Sequence, residues 1–495
     1  MIPCQTFLRL VRTEGRITMK TIHILLISGN LAAIALGQPL PHYQLTDLGT
    51  LGGSYSFAFS INNNGMLTGG SATASQSGGL AQTAFLWSRG RLTNLGTLGG
   101  SACPNCNSAG SAASANGDVA VLSENGLAAP DGEDFCEFGT HLLCLAAVWR
   151  NGKLTALPNL PGGYNSAAFW TNNKGEIVGF SETGIRDSTC VQPYQVYRFE
   201  AVKWGLDGKA HELRPLPGDT VSFAFENNDN GDVVGVSGLC SNVSLPGPLP
   251  PSGPHGVIWD KEGNPTEIPA LKGVVTVIPT TITNRGDVVG NVIYDDGAQH
   301  VFLWTKQSGM RDLGTPDGDS LSVAPCCRTA NERGDIVGFS CPGPMGTCRA
   351  VLYTNNKWYD LNALTLPGSA YLTFVAGIND EGQIAAGGTS STGDTRSYLV
   401  SSSQTQAVIL GLEHDTTVSK SIQLDGTQST SADGKALIYV WSIPQGSPSA
   451  AINGGNSATP AVTFSSRGTY KFQLTVIDSR GATSTDSVTV KYLGD

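Results

Sequence analysis

Four carboxylates are placed where acid–base chemistry would be looked for: Glu182, Glu200, Asp219 and Asp319. Glycoside cleavage needs two such groups facing each other, and distant positions can supply them. Each of the four also suits a turn or a wetted surface. Ten cysteines follow residue 37: Cys103, Cys106, Cys136, Cys144, Cys190, Cys240, Cys326, Cys327, Cys341 and Cys348. Cys103-Pro104-Asn105-Cys106 has the spacing of a zinc knuckle, but no second Cys-x-x-Cys or His pair stands at finger distance. An even number in an exported chain reads instead as a disulfide framework, with zinc as the rival. Asn227-Asn228-Asp229-Asn230-Gly231-Asp232 alternates oxygen ligands before a glycine, as a calcium loop does. The equivalent stretch Thr283-Asn284-Arg285-Gly286 carries an arginine that no ligand set tolerates. A hairpin turn needs only Asn or Asp and a glycine at positive φ. The seven histidines share no spacing, and His-Glu-x-x-His, Gly-x-Ser-x-Gly and P-loop patterns are lacking. The residues therefore predict no catalytic group, no cofactor and no metal.

The elements that must position these residues repeat. Glycines 65, 117, 175, 231, 286, 334 and 382 close Asn-x-x-Gly or related turns, spaced 52, 58, 56, 55, 48 and 48 residues apart. Downstream of each of the first five lies a second phrase, such as Ala84-Phe85-Leu86-Trp87 or Val301-Phe302-Leu303-Trp304. Short β-branched and aromatic runs bounded by Gly and Asn read as strands, and no long 3.6-residue period interrupts them. Each unit is thus four strands, S1 to S4, in an up-and-down meander. Seven such units predict an all-β chain folded as a seven-bladed β-propeller, with a two-sheet or solenoid arrangement as the alternative. The seventh unit lacks S4, while a spare strand, residues 43–50, precedes the first S1. That strand is expected to complete the last blade and remove two open edges. The repeated Trp87, Trp149, Trp204, Trp259 and Trp304 are expected to pack between blades.

In a meander, S2–S3 and S4–S1 connections share one end. Long insertions fall there, at about 122–145, 181–198 and 237–254, and all ten cysteines are expected to gather with them. Cys136–Cys144 and Cys341–Cys348 are natural local staples. Ligand binding is expected on that end, because long loops held by a rigid scaffold usually carry function.

Residues 1–37 read as a leader, with Met19 the expected start, an apolar stretch from Ile22 to Ala35 and a small-x-small site at Ala35-Leu36-Gly37. An uncleaved anchor is the alternative, though the apolar stretch is shorter than a membrane span. The mature chain is expected to have no transmembrane segment. The net charge of −10 argues against nucleic acid or an anionic membrane as partner. Charged residues are only 14% and glycines number 62, as a turn-rich exported fold requires.

From about residue 405 the repeat stops. Leu424-Asp425-Gly426-Thr427-Gln428-Ser429, Tyr439-Val440-Trp441 and Gly468-Thr469-Tyr470-Lys471-Phe472-Gln473-Leu474-Thr475-Val476-Ile477-Asp478 resemble the PKD domain, an immunoglobulin-like β-sandwich common in exported bacterial proteins. Ser442-Ile443-Pro444-Gln445-Gly446 departs from the usual turn after the Trp. The resemblance implies a spacer or adhesive role for residues 405–495 and no catalysis. Asp47-Leu48-Gly49-Thr50-Leu51-Gly52-Gly53-Ser54, followed by Ala58-Phe59-Ser60-Ile61-Asn62 and Ala84-Phe85-Leu86-Trp87, resembles the HAF repeat of bacterial extracellular proteins. It covers roughly residues 43–400 and brings no activity with it. The domains read as 1–37 leader, 38–404 propeller and 405–495 PKD-like sandwich. The function expected is a secreted or cell-surface, non-catalytic binding or scaffolding protein whose partner is an extracellular polysaccharide or surface protein. The alternative is a polysaccharide- or peptide-cleaving enzyme with its site at the channel mouth.

Overall fold

A computed structural model describes residues 42–74, 81–243 and 254–494, apart from 317, 327, 344–345, 367–368, 391–392, 403–404, 411–414, 432–434 and 480–481. The leader, its cleavage site and Cys327 lie outside the described residues. The chain divides into two bodies. One holds Leu45–Ala363 and Ala370–Val400; the other holds Ser401–Asp495 with Leu364–Ser369 and the described residues before Leu45.

The first body is all-β. Its S1 to S4 strands are Gly52–Ile61, Leu67–Thr73, Thr83–Ser88 and Arg91–Gly96 in the first unit. The second has Ser108–Ala113, Val119–Ala128, Leu142–Arg150 and Lys153–Ala156; the third Ser166–Thr171, Ile177–Arg186, Tyr197–Trp204 and Ala210–Leu213. The fourth has Val221–Asn227, Val233–Gly238, His255–Trp259 and Pro265–Glu267. These are four-stranded antiparallel sheets in sequence order. The fifth and sixth units are linked into one eight-stranded sheet by a parallel bridge from Gln299 to Leu321. In the seventh, Tyr371–Ile378, Ile384–Thr389 and Thr395–Ser402 are joined by the early strand Tyr43–Asp47, which lies beside Thr395–Ser402.

Three recurring residues stitch units to their neighbours. The first Asn of the turn is one. Asn228 accepts the Asn230 and Asp232 N–H groups on Oδ1, both at 3.0 Å, and donates Nδ2 to the Thr283 carbonyl of the next unit at 3.0 Å. Asn172 does the same toward Asn228, Asn331 toward Asn379, and Asn379 toward Asn62. An Asn amide carries its acceptor and its donors on separate atoms of one short side chain, so it can cap its own turn and reach the next unit at once. Its oxygen is spent on its own turn, so Asn227–Asp232 is a hairpin, with Gly231 at φ +92.

Serine at the start of S1 is the second stitch. Ser108, Ser166, Ser222 and Ser322 each accept an N–H from S3 of the preceding unit, at Ala84, Ala146, Ala201 and Val301, over 2.9–3.0 Å. Ser222 returns its proton to the Leu213 carbonyl. Tryptophan is the third: the Trp204 and Trp259 indoles donate to the carbonyls of Pro158 and Arg214 in the preceding unit. Trp87, Trp204 and Trp259 are buried, and Trp149 and Trp304 half-buried, so they pack rather than offer open faces.

S1 also bulges. In the fourth unit the register slips between Ala224 and Glu226, and Gly235 of S2 lies so close that a Cβ there would stand 1.9 Å from the Phe223 oxygen. A bulge re-aims the residues after it. Here it re-aims Glu226.

The second body has two sheets. One orders Asp415–Thr417, Thr483–Tyr492, Gly468–Ile477 and Ile438–Ser442; the other Ser421–Gln423, Ala461–Phe464 and Ala450–Asn453. Tyr470, Phe472, Leu474 and Val476 alternate inward onto Trp441 and Phe464. The Trp441 indole donates to the Ser457 carbonyl at 3.0 Å.

Candidate functional site

The insertions of the second, third and fourth units build a braced platform at the S2–S3 end. In the second unit a 3-10 turn, Pro130–Gly132, starts the excursion, and Cys136–Cys144 ties it off. Glu133 then reaches the third unit. Its Oε1 accepts the Val196 N–H at 2.6 Å, and its Oε2 accepts Asn165 Nδ2 at 3.1 Å. Asp134 N–H donates to the Pro193 carbonyl at 2.9 Å. Asp131 receives the Tyr197 hydroxyl at 2.6 Å and pairs with Arg186, whose guanidinium lies 5.1 Å above the Tyr197 ring. The third insertion is bonded in turn to the fourth unit through Cys190–Cys240, on the helical turn Cys240–Val243.

Glu182 sits beneath this brace. Its Oε2 accepts the Asn165 N–H at 2.8 Å, as Glu124 accepts the Asn107 N–H at 2.6 Å one unit earlier. Glu133 and Glu182 are wholly buried. Burial, and then the neighbouring Glu182 charge, pushes the Glu133 carboxyl up to about 8, and burial raises Glu182 as well. The pair therefore keeps a proton at neutral pH and holds the platform in shape.

The other sequence candidates do not converge. Glu200 lies across from Ser181, so it faces the side of the sheet opposite to Glu182. Burial, and then Glu212, pushes its carboxyl up to about 8. Asp219 accepts the Ser237 hydroxyl at 2.7 Å and lies 3.0 Å from His255 Nδ1; Asp319 accepts Arg349 Nη2 at 2.8 Å. No facing pair for glycoside chemistry forms among these four.

Cys103–Cys106, Cys136–Cys144, Cys190–Cys240 and Cys341–Cys348 are disulfides at S2–S3 or S4–S1 connections. Cys326 is disulfide-bonded too, but its expected place needs correcting. It lies after S1 of the sixth unit, Leu321–Val323, and is buried in the same apolar cluster as Phe339 and Cys341. The extra residues of that unit enter within the S1-to-turn run, not before it.

Beside the exposed Arg186–Asp131 pair, the platform also holds apolar side chains out to solvent. Leu127 is 62% exposed, Ile185 55%, Tyr164 44% and Leu239 42%, all at this end. Tyr164 also packs against Tyr197, with ring centroids 5.5 Å apart.

A second convergence lies at the opposite, S1–S2 end, and sequence reasoning missed it. Glu226, Asn227, Asp229, Arg328, Glu332 and Asp380 line a cavity of about 40 Å³. The Arg328 N–H donates to Glu226 Oε2 at 2.6 Å, although 102 residues separate them. Arg328 Nη2 donates to Asn63 Oδ1 at 2.5 Å and lies 3.4 Å from Asp380 Oδ2. The rim is a relay: the N–H groups of Asn173, Asp229, Asn284, Glu332 and Asp380 donate to side chains of Asp229, Asn284, Glu332, Asp380 and Asn63 in turn. Burial pushes the Glu226 carboxyl up to about 8. One signal was readable: Ser322 and Asn331 are nine positions apart, where Ser222 and Asn228 are six.

Residues 413–491 match a family model described as a PKD domain. The second body is a PKD domain. Over 89 residues the chain is 40% identical to human low-density lipoprotein receptor-related protein 11, covering 18% of this chain and 16% of that protein. It therefore spans about a sixth of the length of that relative. The solution structure of the PKD domain from the KIAA 1837 protein is 34% identical, covering 19% of this chain and 92% of that one, at a TM-score of 0.17. The first body resembles the β-propeller domain of the trilobed protease from Pyrococcus furiosus. That likeness is at 8% identity and a TM-score of 0.42, over 70% of this chain and 96% of that one. So low a score carries no argument about chemistry. Among the described residues no helix is long and apolar enough to cross a membrane.

Proposed function

We propose that this chain is a secreted or cell-surface, non-catalytic binding protein of the HAF-repeat kind. In this reading, residues 38–404 are a seven-bladed β-propeller closed by residues 43–50, and residues 405–495 are a PKD spacer. The leader directs export, and the ligand is an extracellular polysaccharide or surface protein held on the long-loop end. One observation carries it: three insertions are locked together by Cys136–Cys144, Cys190–Cys240 and buried Glu133, and still hold Leu127, Ile185 and Leu239 out to solvent. Ordering a loop costs conformational entropy, and exposing apolar groups gains nothing for folding. A rigid apolar surface is what a binding protein prepares in advance.

The test is a binding screen of the full chain against glycans and isolated cell-wall fractions, repeated with Leu127→Ser, Ile185→Ser and Leu239→Ser combined. Binding lost at least tenfold with an unchanged melting temperature is the expected result. Binding indifferent to all three would count against the long-loop end. The raised pKa of Glu226 beside the opposite cavity favours one other reading, a hydrolase with its site there. Turnover of a polysaccharide or peptide abolished by Glu226→Gln would decide for it.

A further inference from the structure

Cys103 and Cys106 are bridged on the connection between S4 of the first unit and S1 of the second, at a tip where Gly100, Ser101, Ala102, Pro104 and Asn105 are all exposed. The bridge spans 3 positions, against 7, 8 and 50 for Cys341–Cys348, Cys136–Cys144 and Cys190–Cys240. Of these four it therefore removes the least freedom from the unfolded chain. Its two cysteines are not equivalent. Cys103 is partly exposed, whereas Cys106 is 1% exposed. The chain after Cys106 is pinned to its surroundings. Asn107 donates its N–H to Glu124 Oε2 at 2.6 Å and Nδ2 to the same oxygen at 3.1 Å, and its Oδ1 accepts the Gln82 N–H at 2.9 Å. Cys103 is tethered within the tip itself: its N–H donates to the Gly100 carbonyl at 3.3 Å, and its own carbonyl accepts the Cys106 N–H at 3.1 Å. Two glycines make room for the bridge. A Cβ at Gly99 would stand 2.7 Å from Cys106 Sγ, and one at Gly126 would stand 3.0 Å from Cys103 Cβ.

We propose that Cys103–Cys106 is an exchange-active disulfide that oxidises the dithiol of a partner polypeptide. A partner thiolate attacks Cys103 Sγ, the Cys103–Cys106 bond breaks, and Cys106 leaves as a thiolate, so that a mixed disulfide stands on Cys103. The partner's second thiol then attacks the partner sulfur of that bond and releases Cys103. The partner ends as a disulfide and the bridge as two thiols, which take up the two protons that the partner gives to solvent. Two electrons pass from dithiol to bridge, and no further reactant is needed. Exchange depends on which sulfur can be reached. Cys103, on the exposed tip, is the sulfur attacked, while buried and pinned Cys106 is the leaving group and stays close enough to close the bond again. The site does not rest on the binding reading of the long-loop end.

The full chain, with its disulfides formed, is mixed with a reduced two-cysteine peptide, quenched at intervals with N-ethylmaleimide and mapped by mass spectrometry. Cys103 and Cys106 are expected to take the label at least about tenfold faster than Cys136–Cys144, Cys190–Cys240 and Cys341–Cys348, with an oxidised peptide formed for each pair labelled. Oxidised glutathione then separates the two sulfurs. It is expected to form a mixed disulfide with Cys103 in Cys106→Ser, and with Cys106 in Cys103→Ser at least about tenfold more slowly. Should either variant fail to fold, the mapping of the parent chain decides. The proposal is overturned if Cys103–Cys106 opens no faster than the other bridges, or if its opening yields no oxidised peptide. It is equally overturned if the Cys106 thiol reacts as fast as that of Cys103.

Discussion

Replacing Glu226 by Gln is expected to flatten the pH dependence of stability. The carboxyl is 4% exposed, and burial raises it from an ordinary 4.5 to about 8. Between these values the folded chain holds a proton that the unfolded chain releases, so stability falls as pH rises. The contribution is fully present below about pH 4.5 and is lost as pH climbs through about 8. A rise of this size at 1.36 kcal/mol per unit corresponds to roughly 5 kcal/mol, most of it lost between about pH 5 and 8.5. Glutamine keeps an acceptor for the Arg328 N–H and cannot ionise. Glu124, Glu133, Glu182 and Glu200 shift the same way, so the parent and the variant share their slope. Only the difference reports Glu226. Urea unfolding followed by tryptophan fluorescence at the two pH values should give a parent loss greater by roughly 4 kcal/mol. A difference under about 1 kcal/mol, or one of opposite sign, would refute the reasoning.

Asn228→Ser leaves the turn capped, as Ser114 and Thr283 cap theirs, and should cost about 1 kcal/mol through the lost donor to Thr283; Asn228→Ala should cost about 2–3. Denaturant midpoints will separate the two. The disulfides differ in the loops they close, with Cys190–Cys240 spanning 50 residues and Cys136–Cys144 spanning 8. Replacing both cysteines by Ala should cost about 4 kcal/mol for the first pair and about 2.5 for the second, as melting curves would show. Deleting residues 43–50 bares the edge of Thr395–Ser402, and the expected result on a sizing column is dimers or aggregates. A monomer with unchanged melting temperature would count against it.

The units were legible because their stitches are single residue types at fixed places. Asn at the turn, Ser at the start of S1 and Trp near the end of S3 are demanded by a geometry that recurs from unit to unit. The platform was legible as long insertions, but not as a brace. Glu133 finds Asn165 and Val196 only after two units have packed together. The S1–S2 cavity was hidden for a similar reason, since its lining is gathered from every unit and meets only once the units have packed. Cys326 follows S1 instead of preceding it, because the strand begins at Leu321 and the three added residues lie between it and Asn331.

The seams between units are not equal, and this bears on how the chain opens and how it can be re-engineered. After the second and fifth units the turn begins with Ser114 and Thr283, whose hydroxyls cap the turn but supply no forward amide. Both seams have a substitute elsewhere. Between the fifth and sixth units, Asn291 exchanges two hydrogen bonds with Ala324, and Thr281 accepts the Thr329 N–H. Between the second and third, the substitute is the insertion itself, through Glu133. That loop is therefore a keystone of the array. Grafting a new recognition sequence over residues 129–141 would loosen a joint that lacks the forward amide unless Glu133 were kept in place.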